Sequence, residues 1–369
     1  FLTSYKLYIW IDGANYENPI TMMNKNFSFK LHADGTGGFI KEGKIPDTPD
    51  TDNTLASNIV TTYINAPNKT DVVKYYYDTE HSLMSDADGN VRYYGASPNN
   101  YIYFNCSDYS NQSSSTCEIW RIIGVFNNKV KLIRGGQIGT YSLDNKNTST
   151  GAETNNGKND WTDARLMKLL NPGYESEPTR GSLYYNAKSG NCYYGKNNAT
   201  TTCNFTSSGI KNDTTRNLIA ETTYYTRGNN SNQIFVDTMY DKERVSGTVY
   251  SGHATSWTGK IALAYPSDYG YAADLSLCQK TLYDYDNATC TANNWMKSIV
   301  TNNGGNLGWL LTPDSVSANG AWAVDSSGRV YDYGYAYSAY GVAPVLSLIS
   351  ELDIGSGTGE SNSPYQLSV

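Results

Sequence analysis

Hydrophobic and polar residues alternate in two stretches near the start of the chain, "SYKLYIWIDG" and "NKNFSFKLHADG". Each stretch ends at an Asp-Gly pair, and alternation with a period of two that stops at a turn signal predicts a β-strand. Residues 1–35 are therefore predicted to form a β-hairpin of a stalk or small N-terminal β domain. Residues 36–74 are rich in Gly, Pro, Asp and Thr, which predicts a linker with one short helix after Thr54.

Beyond the linker, short apolar runs are separated by long polar loops. Two apolar strands flank an Asn127-Asn128 turn, which is a strong hairpin signal. The segment "NDWTDARLMKLLNPGY" predicts the clearest helix, capped by Asp160 or Thr162 and ended by Asn-Pro-Gly. A weaker helix is predicted in "RNLIAETTYYTRG", and "GKIALAYPSDYGYA" predicts a strand followed by a loop. Together these elements predict an α+β domain of short strands and few helices over residues 75–350.

The end of this domain, "GAWAVDSSGRVYDYGYAYSAYGVAPVLSLI", predicts a strand, a turn, a strand rich in tyrosine and a final apolar strand. Residues 351–369 form a Gly/Ser-rich tail that closes with a predicted edge strand. The whole chain of 369 residues holds 33 Tyr but only 8 Phe. Because tyrosine combines a large apolar ring with a hydroxyl group, this excess indicates aromatic surface more than aromatic core.

The tyrosines near the end of the chain alternate with Asp, Gly, Ala and Ser, a mixture typical of binding surfaces. One interpretation is a rigid exposed face that binds a ligand. The other is an irregular loop whose rings pack on the protein itself. The sequence favours binding, because Tyr and Trp are frequent among the residues that dominate binding energy. The candidate ligand-binding residues are Trp322, Asp325, Tyr331, Asp332, Tyr333, Tyr335, Tyr337, Ser338 and Tyr340.

The charge and the cysteine content of the chain indicate which partners and which cellular location to expect. Charged residues make up 17% of the chain, the net charge is −7 and no basic patch is present, so nucleic acid is not an expected partner. The six cysteines fall into three local pairs that each close a polar loop, and no CxxC metal motif occurs. Three disulfides and an oxidising, extracellular location are therefore predicted. The pairs are Cys106 with Cys117, Cys192 with Cys203, and Cys278 with Cys290.

Acidic residues elsewhere offer weaker candidate sites. Asp86, Asp88 and Asn90 have the first half of a calcium-loop spacing, but the glycine falls too early and the final Glu is missing. The sequence favours a β-turn there, so no cofactor is predicted and calcium stays the open alternative. Asp268 and Asp274 can bind a cation or a sugar, or they can simply close a turn, which the sequence favours.

Catalytic motifs are not evident in the chain. No G-x-S-x-G, H-E-x-x-H or glycine-rich phosphate loop occurs. Glu243 and Arg244 predict either a structural ion pair or charges at a helix end. His253 is a lone histidine in a polar loop for which no catalytic partner can be named. An enzyme is therefore not predicted.

The order of several segments resembles a known family. They are "CEIWRIIGVFNNKVKLIR", "NDWTDARLMKLLNPGY", "WTGKIALAYPSDYGYA", "GWLLTP" and "GAWAVDSSGRVYDYGYAYSAYGVAPVLSL". The chain resembles bacterial extracellular domains with the C-type lectin fold, in the branch related to formylglycine-generating enzymes. The tyrosine-rich end also resembles the variable proteins of diversity-generating retroelements, whose diversified codons yield Tyr, Asp, Ser, Ala and Gly. The first segment of the chain resembles the piece that joins such domains to an anchored or pilin-like region.

This resemblance implies a C-type lectin-like fold and a secreted or surface-displayed bacterial protein, adhesin-like or receptor-like, that recognises a protein or a glycan. All six cysteines are assigned to local loops, so the oxidase chemistry of the enzyme branch is not expected. Two alternatives stay open. One is a structural pilus or surface-layer subunit that self-assembles through its N-terminal region or its tail. The other is an enzyme on the same fold with an unidentified site.

Overall fold

The structure, a computed structural model, describes residues 53–67, 77–145, 156–302 and 304–369. All of them belong to one of two compact units of the chain, Phe39–Val369. The β-hairpin predicted for residues 1–35 and most of the predicted linker lie outside the described residues. Within the described part the architecture is α+β, mostly sheet with short helices, which confirms the coarse fold class.

Seven short α-helices occur in the described residues. They are α1 (Leu55–Asn65), α2 (Arg165–Leu170), α3 (Asp213–Leu218), α4 (Val236–Asp241), α5 (Pro266–Tyr271), α6 (Ala288–Ala292) and α7 (Lys297–Val300). Helix α1 is the one predicted after Thr54, whose hydroxyl accepts a hydrogen bond from Ser57 N at 3.2 Å. Although α1 lies in the range predicted as linker, its apolar side, including Leu55 and Ile59, is buried in the core.

The strands are short and numerous. They are β1 (Tyr77–Asp78), β2 (Leu83–Ser85), β3 (Val91–Tyr93), β4 (Tyr101–Phe104), β5 (Glu118–Phe126), β6 (Lys129–Arg134), β7 (Thr140–Ser142), β8 (Lys188–Tyr193), β9 (Thr200–Asn204), β10 (Thr222–Tyr225), β11 (Ser256–Gly259), β12 (Ile261–Ala262), β13 (Gly308–Pro313), β14 (Gly320–Val324), β15 (Val330–Tyr335), β16 (Ala339–Gly341), β17 (Val345–Ser347), β18 (Asp353–Ser356) and β19 (Gln366–Ser368).

The largest sheet is built around the β5–β6 hairpin. Its strand order is β1-β2-β3-β5-β6-β17-β12, and β4 pairs with the free part of β5. Asn127 and Asn128 adopt φ values of 49° and 60°, which is the left-handed pair that a two-residue hairpin turn requires. The predicted hairpin is therefore confirmed, and its apolar residues, such as Ile122 and Leu132, lie in the main core.

A second sheet of five strands has the order β15-β14-β13-β16-β7. Strands β13, β14 and β15 form an antiparallel meander, and β16 pairs parallel to β13. The predicted strand-turn-strand pattern is confirmed as β14 and β15. Strands β13 and β14 lie inside the sheet, and all their residues are buried because both core clusters include side chains of these strands. Strand β15 is an edge strand of this sheet.

Two helix predictions and one loop prediction need correction. Helix α2 begins only at Arg165, because Asp160 instead closes a turn by accepting hydrogen bonds from Thr162. The second predicted helix ends at Leu218 as α3, and the following Thr and Tyr residues form β10. The segment predicted as a loop after β12 is helix α5, which begins with a proline at its first position.

Three disulfide bonds cross-link local segments of the chain. The pairs Cys106–Cys117, Cys192–Cys203 and Cys278–Cys290 are bonded, as the spacing predicts. The middle pair joins β8 to β9, and the first closes a loop whose Gln112 exchanges two hydrogen bonds with Leu367 of the tail. Such bonds persist in oxidising, extracellular environments. No helix in the described part of the chain has the length and apolar character needed to cross a membrane.

Candidate functional site

The tyrosine segment forms strand β15 and the turn that follows it. Residues with side chains on the inner side are buried: Asp332, Gly334 and Ala336. Next to them in sequence, Tyr333 and Tyr335 are exposed, whereas Tyr331 and Tyr337 are partly buried and Tyr331 packs against the main core. We call Tyr331, Tyr333, Tyr335, Tyr337, Ser338 and Tyr340 the tyrosine surface. Small residues face inward and large rings face outward, which is the reverse of an ordinary half-buried strand.

Two rings of the tyrosine surface are strongly exposed. Tyr333 has 62% and Tyr335 has 47% of its surface accessible to solvent. The rings of Tyr335 and Tyr337 stack in parallel, with centroids 5.5 Å apart and an interplanar angle of 4°. The ammonium group of Lys196 lies 4.7 Å from the centre of the Tyr337 ring, a cation–π contact. These contacts order the rings of Tyr335 and Tyr337 beside the exposed ring of Tyr333.

Trp309 of β13 supports the tyrosine surface from inside. A Cβ atom at Gly334 would lie 2.6 Å from the Trp309 ring, so only glycine lets β15 lie this close to the indole. The indole nitrogen donates to Tyr141 O at 2.8 Å, and the ring contacts that of Tyr340 at 4.4 Å. The buried Trp309 ring is therefore held in place and determines how closely β15 packs against the core.

Backbone hydrogen bonds fix the end of the tyrosine segment on both sides. Ala336 N donates to Asn319 O at 2.8 Å, and Asp144 N donates to Ala336 O at 3.0 Å. The hydroxyl of Ser142 donates to Tyr337 O at 2.6 Å. A segment bound in this way loses little conformational entropy when a ligand contacts it.

Two predicted contact residues are buried instead. Trp322 is fully buried on the central strand β14 and donates its indole N–H to Asn229 O at 3.1 Å. Asp332 is 1% exposed and accepts a hydrogen bond from Asn232 at 3.2 Å, and burial raises the pKa of its carboxyl group. The segment that contains Asn229 and Asn232 therefore packs against both side chains, and neither is available to a ligand.

The remaining predicted residues lie at or beside the surface. Asp325 is half-buried and holds the β14–β15 turn, since its Oδ1 accepts hydrogen bonds from the backbone of Ser327, Gly328 and Arg329. Ser338 N donates to Tyr335 O at 2.7 Å and closes the turn after β15. Burial, followed by a hydrogen bond with Tyr340, raises the pKa of Tyr331.

The sequence interpretation missed Lys196. This exposed residue lies in the turn of the disulfide-linked β8–β9 hairpin and, through its contact with Tyr337, adds a positive charge at the tyrosine surface. A contact between residues so distant in sequence has no local sequence signal. Only the packing of the two segments brings them together.

The calcium-like segment forms a plain turn. One carboxylate oxygen of Asp86 accepts hydrogen bonds from the backbone N–H groups of Asp88 at 3.0 Å and Asn90 at 3.1 Å. The other oxygen accepts a hydrogen bond from Arg92 Nε at 2.6 Å. Among the described residues no group of three or more His, Cys, Asp and Glu side chains is arranged to hold a metal ion. The turn interpretation is the one the structure supports.

Asp268 lies in a buried group of charged residues that we call the ionic cluster. Its members are Asp86, Arg92, Lys131, Glu243, Arg244 and Asp268. Arg92 contacts Asp268 Oδ1 at 2.9 Å, and Lys131 contacts Asp268 Oδ2. Burial opposes ionisation of Asp268, but the neighbouring cations, Lys131 first, outweigh it and lower the pKa of the carboxyl group.

Glu243 and Arg244 form the predicted ion pair, with 2.5 Å between Nη1 and Oε2. Glu243 also accepts a hydrogen bond from Ser267 N at 2.8 Å and so fixes the start of α5. Burial raises the pKa of the Glu243 carboxyl group. Asp274 accepts hydrogen bonds from Ser276 and closes a turn. None of these acidic residues belongs to the tyrosine surface.

His253 is buried rather than exposed in a polar loop. It is 7% accessible, and neither ring nitrogen has a hydrogen-bond partner. Burial lowers the pKa of its imidazole, because the charged form loses its hydration. The geometry offers His253 no hydrogen-bonded nucleophile or orienting acid within the described residues.

Comparisons with family models, curated proteins and solved structures find no match for this chain. The resemblance to C-type lectin-like domains therefore stays a prediction.

A first prediction concerns the support of β15. The variant Gly334→Ala places a methyl group against Trp309 and is expected to lose about 1–3 kcal/mol of unfolding free energy, as overpacked sites do. Urea unfolding of the purified protein measures this loss. Gly136→Ala is the matched control, since a Cβ there meets no atom within 4 Å. Equal stability of the two variants would show that the close approach of strand and indole is absent.

A second prediction concerns pH. The folded-state pKa of His253 is lowered, so the folded protein binds fewer protons than the unfolded chain below the ordinary histidine pKa of about 6.5. Stability is therefore complete above this value and falls as the pH decreases through it. His253→Gln is expected to flatten the fall in unfolding free energy between about pH 7 and pH 5.

His81→Gln serves as the control for this measurement. His81 differs from His253 because its ring is 41% exposed and contacts Asp78 at 2.6 Å. An unchanged pH dependence in the His253 variant, measured by urea unfolding in the same buffers, would contradict the buried, unpartnered state of this imidazole.

Proposed function

We propose that this protein is a ligand-binding protein, adhesin-like or receptor-like, that recognises a protein or a glycan through its tyrosine surface. The observation that carries the proposal is the exposure of Tyr333 and Tyr335 on a strand whose inner side and backbone are bound to the core. Large exposed aromatic rings in a row on a supported strand are typical of binding sites. The protein binds its ligand without chemical change.

The physical basis of binding is the removal of ring surface from water. A tyrosine ring buries a large apolar area at low cost in conformational entropy, and its hydroxyl orients the ligand by hydrogen bonding. The stack of Tyr335 on Tyr337 and the contact with Lys196 restrict the rings before binding. Lys196 adds a positive charge at one end of the row, which favours ligands with an acidic group there.

We further propose a C-type lectin-like fold for this unit and display on the bacterial surface. The order of sequence segments supports the fold, and the three disulfides support an extracellular location. The tyrosine surface is proposed to be diversified, because its outer positions carry residues that adenine-directed mutagenesis produces. The buried residues Trp322 and Asp332 are then proposed to stay constant.

A structural subunit that assembles through its tail would need free backbone groups there, but the tail is already hydrogen-bonded to the rest of the chain. Tyr365 N donates to Tyr101 O at 2.9 Å, and Tyr103 N donates to Tyr365 O at 3.0 Å. The tail is also bound by Gln112 at Leu367. Backbone groups paired within the chain are not available for a neighbouring copy, so binding through the tyrosine surface is the better-supported function.

A third prediction tests binding directly. Tyr333→Ala and Tyr335→Ala are each expected to weaken ligand binding by about tenfold or more, because central aromatic residues dominate binding energy. Binding is measured on a glycan array and by pulldown of surface proteins, followed by titration of each ligand obtained. The two assays separate the glycan from the protein ligand.

Tyr225→Ala is the matched control for the binding assay, since Tyr225 is 43% exposed but belongs to the separate β10–β11 sheet. Its binding is expected to equal that of the unmodified protein. If all three variants bind equally, or if no ligand responds to Tyr333 and Tyr335, the proposed function is wrong.

A fourth prediction concerns diversification. The gene is expected to lie near a reverse-transcriptase gene and near an imperfect copy of the codons for residues 310–345. Differences between the two copies are expected at adenines and at codons of outward-facing residues such as Tyr333 and Tyr335. Genome sequence around the coding region provides this test, and a neighbourhood without either feature would reject diversification while leaving binding untouched.

A further inference from the structure

The ionic cluster brings together an amine and a carboxyl group from distant parts of the chain. Lys131 lies on β6 and Asp268 on α5, 137 positions further along the sequence. Lys131 Nζ contacts Asp268 Oδ2 directly, and the two side chains are 6% and 0% exposed. The contact joins the large sheet to a helix that packs on β13 of the second sheet.

The surroundings of this contact are unfavourable for two charges. The Lys131 ammonium lies 5.2 Å from the centre of the Phe126 ring and 4.7 Å from that of the Tyr265 ring. Such rings attract a cation, but they do not replace its hydration shell. Removing an ammonium and a carboxylate from water carries a large desolvation cost, which their mutual attraction offsets only in part. Burial lowers the pKa of Lys131 to about 8, although the charge of Asp268 acts in the opposite direction. Condensation of this amine with the carboxyl group removes both charges from the buried position and with them the desolvation cost.

We propose that Lys131 and Asp268 condense to form an intramolecular amide cross-link. Lys131 Nζ already contacts Asp268 Oδ2, which is bonded to the carbon that the amine attacks. Holding two reactants together in this way replaces the entropy loss of a bimolecular reaction. This inference is independent of the proposed function, since no residue of the tyrosine surface takes part.

The reaction balances without a co-reactant. A proton moves from Lys131 Nζ to Asp268 Oδ2 along their contact, and the neutral amine attacks Cγ to form the C–N bond. Negative charge then develops on Oδ1, where Arg92 Nη1 donates a hydrogen bond at 2.9 Å. The nitrogen loses a second proton to Oδ2, the Cγ–Oδ2 bond breaks, and one water molecule leaves.

Arg92 has opposite effects on two steps. Its charge stabilises the tetrahedral intermediate, but together with Lys131 it lowers the pKa of Asp268 and so makes the first proton transfer uphill. The cross-link is therefore expected to form slowly after folding. After the cross-link has formed, Arg92 still forms an ion pair with Asp86 at 2.6 Å, and Arg244 still forms one with Glu243 at 2.5 Å. Every remaining charge in the cluster is therefore paired.

Mass spectrometry tests the proposal. The full-length protein, incubated after purification and then reduced and denatured, is expected to be lighter than its sequence mass by one water molecule. Tryptic digestion is expected to give one joined peptide that contains Lys131 and Asp268. A wild-type chain that keeps its full sequence mass after prolonged incubation overturns the proposal, and this measurement requires no variant to fold.

Two lysine variants assign the water loss. Lys131→Arg keeps the positive charge but is expected to show its full sequence mass. Lys168→Arg is the control, because Lys168 also contacts carboxylates, Asp163 at 2.8 Å and Glu177 at 3.1 Å, and its variant is expected to stay lighter by one water. A water loss that persists in Lys131→Arg, or that maps to other residues, also overturns the proposal.

Discussion

The close approach of β15 to the indole of Trp309 is the constraint on which the candidate site depends. The indole occupies the space that a side chain at position 334 would need, so this position is restricted to glycine. The neighbouring rings of Tyr333 and Tyr335 lie on the exposed side of the strand. The presence of glycine between two exposed tyrosines therefore follows from one packing contact together with the alternation of side chains along a strand.

The ionic cluster has a comparable role elsewhere in the fold. It joins β3, β6 and the start of α5, and each of its carboxylates contacts a cation. Buried charges are tolerated only when they are fully paired, so the cluster restricts how these elements can pack. Disulfides add a third kind of restraint at the surface, where loops rich in Asn, Thr and Ser contribute little apolar burial. A supported strand, a paired ionic cluster and pinned loops together describe a rigid extracellular scaffold.

Local sequence signals predicted some elements well. The Asn127-Asn128 turn, the three cysteine pairs and the β14–β15 turn each depend on residues close in sequence, and the structure confirms them. Helix α5 was missed although Pro266 and Asp268 are ordinary residues for a helix start, because the short segment reads equally well as a turn. The exposed positions Tyr333 and Tyr335 were within reach of sequence reasoning, since strand periodicity separates them from Asp332 and Gly334.

The sequence by itself determined the α+β class, the disulfide pairs and the location of the aromatic segment, because these properties depend on composition and on neighbours within a few residues. The tertiary structure decided which of those residues are accessible. Trp322 is buried because distant segments, including the one with Asn229, pack against it, and Lys196 reaches Tyr337 because a distant hairpin packs beside it. Burial and long-range contacts depend on how sheets and loops assemble, and no local pattern contains that information.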